Sequence, residues 1–431
     1  MKKKYLIFGG IEGIGGFQLY TAARYQHVKN LGYEAFVFGS EGQSDNIKLV
    51  ELRSDHCFSL SELCIPPYCC RANQRNHLSE KVKKMVSYKE DDEIFIEACS
   101  LPYALWGEIF SKSMKGVCFA YLLSSHTENT PRDIQKYCSF KYDKKLIAGQ
   151  TDITLPDLFK GFRDIANDKR GLLASWSSPI CDSREDCLSY LSSIKEYKTK
   201  GYKIVGYFGT LNKPHFIKVC QQIEEYSRSH SENKLLFISV GSSQSGKSEK
   251  RQLQVNKNSP NCEVLNIPEL YPVPIAIFSL MDVCLASWGS AGIASYGCER
   301  VIRLMDDVDV VPQGIIGVTL REKPYYKQPI GNESLFEILD NVLFGDNYSG
   351  IIKIPSVYVD KSEEMHNQID AFLKPFTYNM KEFEYYDINL IKISSFSKRI
   401  ISFCCHTIGI NATLKLRSVA KYIQTSLISM S

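Results

Sequence analysis

Tyr5-Leu6-Ile7-Phe8-Gly9-Gly10-Ile11-Glu12-Gly13-Ile14-Gly15-Gly16-Phe17-Gln18 is an apolar run that breaks into glycine and then resumes as a helix-like pattern. A strand followed by a glycine turn and a helix brings backbone amides close to whatever lies above the turn. Glycine has no Cβ in the way, and the positive end of the helix favours an anion. A second stretch repeats the arrangement in the other half: Val283-Cys284-Leu285-Ala286, then Ser287-Trp288-Gly289-Ser290-Ala291-Gly292. Two such loops, one per half, predict twin nucleotide-binding-type domains facing each other across a cleft.

Working outward from the first loop, apolar and aromatic runs recur at Tyr5–Phe8, Ala35–Phe38, Ile94–Glu97, Val117–Leu123, Lys145–Ala148 and Leu172–Trp176. The intervals between them are long enough for helices, which reads as βαβ units on a parallel sheet. After a polar stretch around Ser183 to Lys200 a second series follows: Ile204–Phe208, Leu235–Val240, Glu263–Ile267, Val283–Ser287 and Val301–Met305. The expected division is a first Rossmann-like domain over residues 1–185, a second over 200–350, and C-terminal helices with a basic tail over 351–431. Glu363 to Leu373 has helical spacing and is stopped by Pro375.

The chain has 431 residues, too many for one core, with 44% hydrophobic and 23% charged residues and a net charge of +4. That charge, without basic runs interleaved with aromatic residues, argues against nucleic acid as a partner. The 15 cysteines are odd in number and scattered, which suits reduced thiols in a cytosol. Met1-Lys2-Lys3-Lys4 imitates the start of a signal peptide, but the apolar run behind it is only a strand long. No uncharged run approaches the ~20 residues of a membrane span. A cytoplasmic location is therefore expected, and the sequons at Asn332, Asn347 and Asn411 read as chance matches. After Asp387 there is no acidic residue, whereas Lys392, Lys398, Arg399, Lys415, Arg417 and Lys421 follow. Ile400-Ile401-Ser402-Phe403 and the run from Leu414 to Ile423 place apolar faces beside those charges, the pattern of helices at an anionic membrane surface, and equally of helices packed on the body.

The pattern resembles GT-B glycosyltransferases, especially bacterial enzymes of capsule and lipopolysaccharide synthesis. The resemblance runs from Gly15-Gly16-Phe17-Gln18-Leu19-Tyr20 through Leu31-Gly32-Tyr33-Glu34-Ala35-Phe36-Val37, then Val205-Gly206-Tyr207-Phe208-Gly209-Thr210-Leu211, and Asp282-Val283-Cys284-Leu285-Ala286-Ser287. It implies a nucleotide-sugar donor held mainly by the second domain and a glycan or lipid-linked acceptor held mainly by the first. By this resemblance Gly15, Gly16 and Gln18 lie at the acceptor and phosphate loop. Gly209, Thr210, Gly241, Ser287, Trp288, Gly289, Ser290 and Ala291 lie at the donor. The family's pyrophosphate-holding Arg and Lys are absent at their places, Thr210 and about His215, with Lys213 as a substitute and Arg300 or Arg303, which flank the next strand, as the source of the missing positive charge.

Many members with a retaining outcome carry a Glu-x7-Glu pair in the donor loop; here no acidic residue lies between Cys284 and Cys298. Ser287 to Gly292 is closer to the loops of inverting members, which bind donor phosphates through amides and hydroxyls, and Trp288 is placed to stack on a base or sugar. His126 and Glu128 follow the strand Val117–Leu123, where the family often carries a histidine; His126 or Glu12 is the expected base. The retaining or inverting outcome stays open. No metal or other cofactor is expected, since amides and cations can stabilise a leaving diphosphate. Asp307-Val308-Asp309 reads as a loop.

Gly241-Ser242-Ser243-Gln244-Ser245-Gly246-Lys247-Ser248 matches the P-loop expression, but the polar stretch behind it ends at Pro260 instead of forming a core-packed helix. ATP chemistry is therefore the weaker reading. A sugar-nucleotide epimerase of the same fold and a binding scaffold without turnover also fit the pattern.

Overall fold

The computed structural model describes residues 2–40, 47, 49–123, 127, 129–151, 154–165, 173, 179–211, 214–241, 255, 258–305, 310–320, 333–345, 361–374, 383–393 and 395–418. The chain divides into two compact units, residues 1–176 with 361–431, and residues 177–360.

The first unit is built from β1 (Lys3–Phe8), α1 (Gly16–Asn30), β2 (Glu34–Gly39), β3 (Cys57–Ser59), α2 (Ala72–Met85), β4 (Glu93–Ala98), α3 (Leu101–Ser113), β5 (Val117–Leu122), α4 (Arg132–Asp143), β6 (Ile147–Gly149) and α5 (Thr154–Leu158). Its six strands are parallel in the order β3-β2-β1-β4-β5-β6. The central strands are near-continuous apolar runs because both faces are covered: β5 is buried at all six positions and β1 at every position after Lys3.

The second unit contains β7 (Ile180–Cys181), α6 (Leu188–Thr199), β8 (Lys203–Phe208), α7 (Pro214–Ser229), β9 (Leu235–Val240), β10 (Cys262–Ile267), β11 (Val273–Pro274), α8 (Ile275–Phe278), β12 (Val283–Ser287), α9 (Trp288–Ala294), β13 (Val301–Leu304), β14 (Pro312–Ile315) and α10 (Leu335–Leu343). Its main sheet has the order β10-β9-β8-β12-β13-β14, parallel except for β14. Among its described residues Tyr207, Phe216, Ile223, Phe237 and Leu285 belong to one apolar cluster, and Ile238, Phe278 and Ala294 to another.

The chain then returns to the first unit with α11 (Ser362–Leu373), α12 (Phe396–Ile408) and α13 (410–418). Met365, Ile369 and Leu373 of α11 are buried, so these C-terminal residues are part of the body of the first unit. Both sheets follow the sequence reading closely. The short β3 and the antiparallel β14 are additions to it, and of the expected strand Leu172–Trp176 only Leu173 is described, outside any strand. The fifteen cysteines are not paired in disulfides.

Candidate functional site

Strand order shows where each sheet opens. In the first unit the chain moves from β1 outward to β2 and β3, then crosses back to β4 on the other side of β1. The crevice of this switch point lies beyond the carboxyl ends of β1 and β4. The loop from Gly9 to Gly15 leaves β1 at that point. Gly9 N–H donates to Phe38 O, and a Cβ on Gly9 would lie 2.2 Å from Thr21 Oγ1, so the loop sits directly on α1. Gly15 is the N-cap of α1 in extended conformation, with its carbonyl accepting from Leu19 N–H. Gly16 is exposed, and nothing lies within 4 Å of where its Cβ would be. The first turn of α1 therefore has an open side. The Gln18 side chain folds across the loop, close to both Gly10 and Gly15, and Glu12 is half-buried within it.

Beneath the loop lies a group of buried polar side chains that the sequence reading did not single out. Glu97, near the end of β4, is fully buried and accepts hydrogen bonds from Tyr5, Tyr20 and Arg24, the last at 2.7 Å. Arg24 also donates to Asp370 Oδ1 at 2.6 Å, and His27 Nε2 contacts Asp370 Oδ2 at 2.7 Å. Tyr20 and Arg24 are both on α1, so this network fixes the helix that carries the glycine turn and ties it to α11. Burial pushes the Tyr5 and Tyr20 hydroxyls up, with the Glu97 carboxylate adding to it. Burial raises Asp370, but the hydrogen bond from His27 and the charge of Arg24 outweigh it and hold the carboxyl below its ordinary value. His366, stacked on His27, is pulled down to about 3 by burial and then by Arg24 and His27. A carboxylate inside an otherwise apolar strand run was the signal available in the sequence.

In the second unit the switch point lies between β8 and β12. Gly209 follows the first of these strands and Ser287 ends the second, so the two expected donor loops flank one crevice. Gly209 N–H donates to Val240 O, and Gly241 N–H to Ile267 O. A Cβ on Gly241 would lie 1.8 Å from Gly209 O, and Gly241 has φ +152°, a close approach only glycine permits. Thr210 is exposed. Ser287 is the N-cap of α9, extended at φ −112° and without a side-chain cap bond. Gly289 is exposed with nothing within 4 Å of a Cβ, Ser290 is half-buried, and Ala291 is fully buried against the unit.

Register separates the two arginines. Arg300 O accepts from Cys284 N–H, which places Arg300 at the amino end of β12, away from the loop after Ser287. Arg303 instead pairs with Ala286, one residue from Ser287, and is buried. Of the two, Arg303 is therefore the one near the carboxyl ends of the strands, and Arg300 lies at the opposite end. Asp282 also sits at the amino end, where its carboxylate accepts from Ile204 N–H.

The side chains of His126, Glu128, Lys213 and Trp288 lie outside the described residues, as do Ser242 to Lys250 and Asp306 to Asp309. Thr127, between His126 and Glu128 in the sequence, is buried, and its hydroxyl donates to Thr154 O at 2.7 Å.

No protein-family model matches the chain, and no curated protein matches it. Among solved structures it is similar to a glycosyltransferase from Rickettsia africae, with 12% identity over 98% of each chain and a TM-score of 0.50. It is also similar to the trehalose-6-phosphate synthase OtsA, with 11% identity over 89% of this chain and 100% of the other and a TM-score of 0.50. At these identities the likeness is one of fold: two parallel-sheet α/β units of the kind found in GT-B glycosyltransferases.

Proposed function

We propose that the protein is a glycosyltransferase that takes a sugar from a nucleotide-sugar donor and passes it to a glycan or lipid-linked acceptor of polysaccharide synthesis, such as capsule or lipopolysaccharide. One observation carries the reading: each glycine loop stands at the switch point of its own sheet, where open α/β sheets bind ligands. In this reading the donor belongs to the second unit, with the amides and hydroxyls of Ser287, Gly289 and Ser290 facing the phosphates. Arg303, beneath the same strand ends, adds positive potential for a leaving diphosphate. The acceptor belongs to the first unit, above Gly15, Gly16 and Gln18.

In an inverting displacement the acceptor oxygen bonds to the anomeric carbon as the bond from that carbon to the diphosphate oxygen breaks. The hydroxyl proton goes to the base, His126 or Glu12, and the diphosphate leaves with the negative charge. The leaving group is stabilised by amides and cations, so no metal is required.

The test is release of free nucleotide from UDP-, GDP-, dTDP- and CMP-sugars in the presence of glycan and lipid-linked acceptors. Acceptor-dependent release from one donor supports the transferase. Interconversion of the donor sugar without acceptor would make the protein an epimerase, binding without turnover would make it a scaffold, and magnesium-dependent ATP turnover lost in Lys247→Ala would establish the P-loop. Near-normal turnover in both His126→Ala and Glu12→Ala would remove the assignment of the base.

A further inference from the structure

We propose that α12 is a docking surface for an anionic lipid bilayer. The helix has two different faces. Ser402 and Cys405 are buried against the first unit, and Cys69 Sγ contacts Lys398 O beside them. On the opposite face Phe396 is 79% exposed, Ile400 48% and Phe403 70%. Their spacing of four and then three residues puts them in one stripe along the outside of the helix. Leu390 and Leu416, in the segments before and after α12, are 60% and 54% exposed. Two exposed phenylalanines and an isoleucine in line are a costly surface to leave in water and suit the headgroup and acyl boundary of a membrane.

The charge around the stripe selects the lipid. Between residue 388 and the last residue there are six lysines and arginines and no acidic residue. Arg399 flanks the stripe on α12 itself, and Lys392, Lys415 and Arg417 stand on the segments on either side, all four exposed. The nearby carboxylates are engaged elsewhere: Asp133 accepts from Lys136 and from Lys392 N–H, and Asp387 from Asn389. At the inward edge of α12 a cavity of about 320 Å³ has a mixed lining that includes Tyr68, Arg71, Arg75, Ile391, Ser402 and His406. A second copy of this chain would bring two cationic faces together, which like-charge repulsion opposes. An anionic bilayer satisfies both the apolar stripe and the charges around it. No helix among the described residues is long and apolar enough to cross a membrane, so the contact is one of surface docking.

This inference does not depend on the donor reading. The experiment is sedimentation of the full chain with phosphatidylcholine vesicles and with vesicles also containing phosphatidylglycerol, at about 0.15 M salt. The expected result is binding to the anionic vesicles alone, weakened by raising the salt. The exposed-face triple variant Phe396→Ser, Ile400→Ser, Phe403→Ser and the charge variant Arg399→Glu, Lys415→Glu should each keep the wild-type melting temperature while losing roughly tenfold or more of the binding. Absence of binding to anionic vesicles, equal binding to neutral ones, or unchanged binding by both folded variants would overturn the proposal. So would concentration-dependent dimerisation that the triple variant abolishes.

Discussion

The two sheets share a plan and differ in what lies beneath their glycine loops. Among its described residues the first unit buries three ion pairs, Lys4–Asp92, Arg24–Glu97 and Lys141–Glu108. Among the described residues of the second unit, every ion pair keeps at least one well-exposed member, and its sheet is held between two apolar clusters. Two of the buried pairs also meet the returning chain: Arg24 reaches Asp370 of α11, and Glu108 accepts from Tyr386 N–H at 2.8 Å. Apolar packing is non-directional, whereas a buried charge demands particular partners. The difference suggests that the first unit uses buried charge to fix where the C-terminal segment docks, a task the second unit does not have.

The comparison breaks most readily at Arg24. Arg24→Met leaves Glu97 buried without its cation and should cost about 3–5 kcal/mol in urea unfolding. Replacing both, Arg24→Met with Glu97→Leu, should recover part of that loss, and no recovery would mean that the pair is not the determining contact. In the second unit the equivalent vulnerability is steric. Gly241→Ala forces a Cβ against the backbone oxygen of Gly209 at a positive φ, and should cost about 2–3 kcal/mol. A stability loss below a few tenths would show that β8 and β9 can part at their ends.

Stability should also depend on pH. His366 has a folded value of about 3, against an unfolded value of about 6.5. Between these the unfolded chain holds a proton that the folded chain does not, so the contribution is complete above pH ~6.5 and is lost as pH falls toward 3. The slope is at most about 1.4 kcal/mol per pH unit, and His366→Phe, which retains a ring to stack on His27, should flatten it. An unchanged slope in that variant would assign the acid sensitivity to other groups, Asp370 first among them.

The strands and both glycine loops were readable because buried parallel strands are written as unbroken apolar runs with glycine at their ends. Strand order was not readable, since nothing local in β1 or β8 states which strand will cross to its other side. The same limit applies to Arg300 and Arg303: being next to an expected strand does not say which end of the sheet a residue lies at, and only the pairing of Ala286 with Arg303 does. The Glu97 network was missed because its members lie on β1, α1, β4 and α11, up to 346 residues apart, so no spacing signals it. The C-terminal helices were visible as periodicity, but the inward face of α12 was not, because Ser402 and Cys405 are smaller and less apolar than the Phe396, Ile400 and Phe403 of the outward face.

The smallest expected change in stability gives the most direct test. Gly16 and Gly289 each have open space where a Cβ would stand, so Gly16→Val and Gly289→Val should alter stability by less than about 1 kcal/mol. Calorimetric titration of the wild type and both variants with UDP-, GDP-, dTDP- and CMP-sugars, with ATP and magnesium alongside, should find one nucleotide sugar that binds the wild type. Gly289→Val should abolish that binding, and Gly16→Val should weaken it less, as expected of an acceptor-side loop. Wild-type affinity in a folded Gly289→Val variant, or binding of ATP alone, would contradict the account.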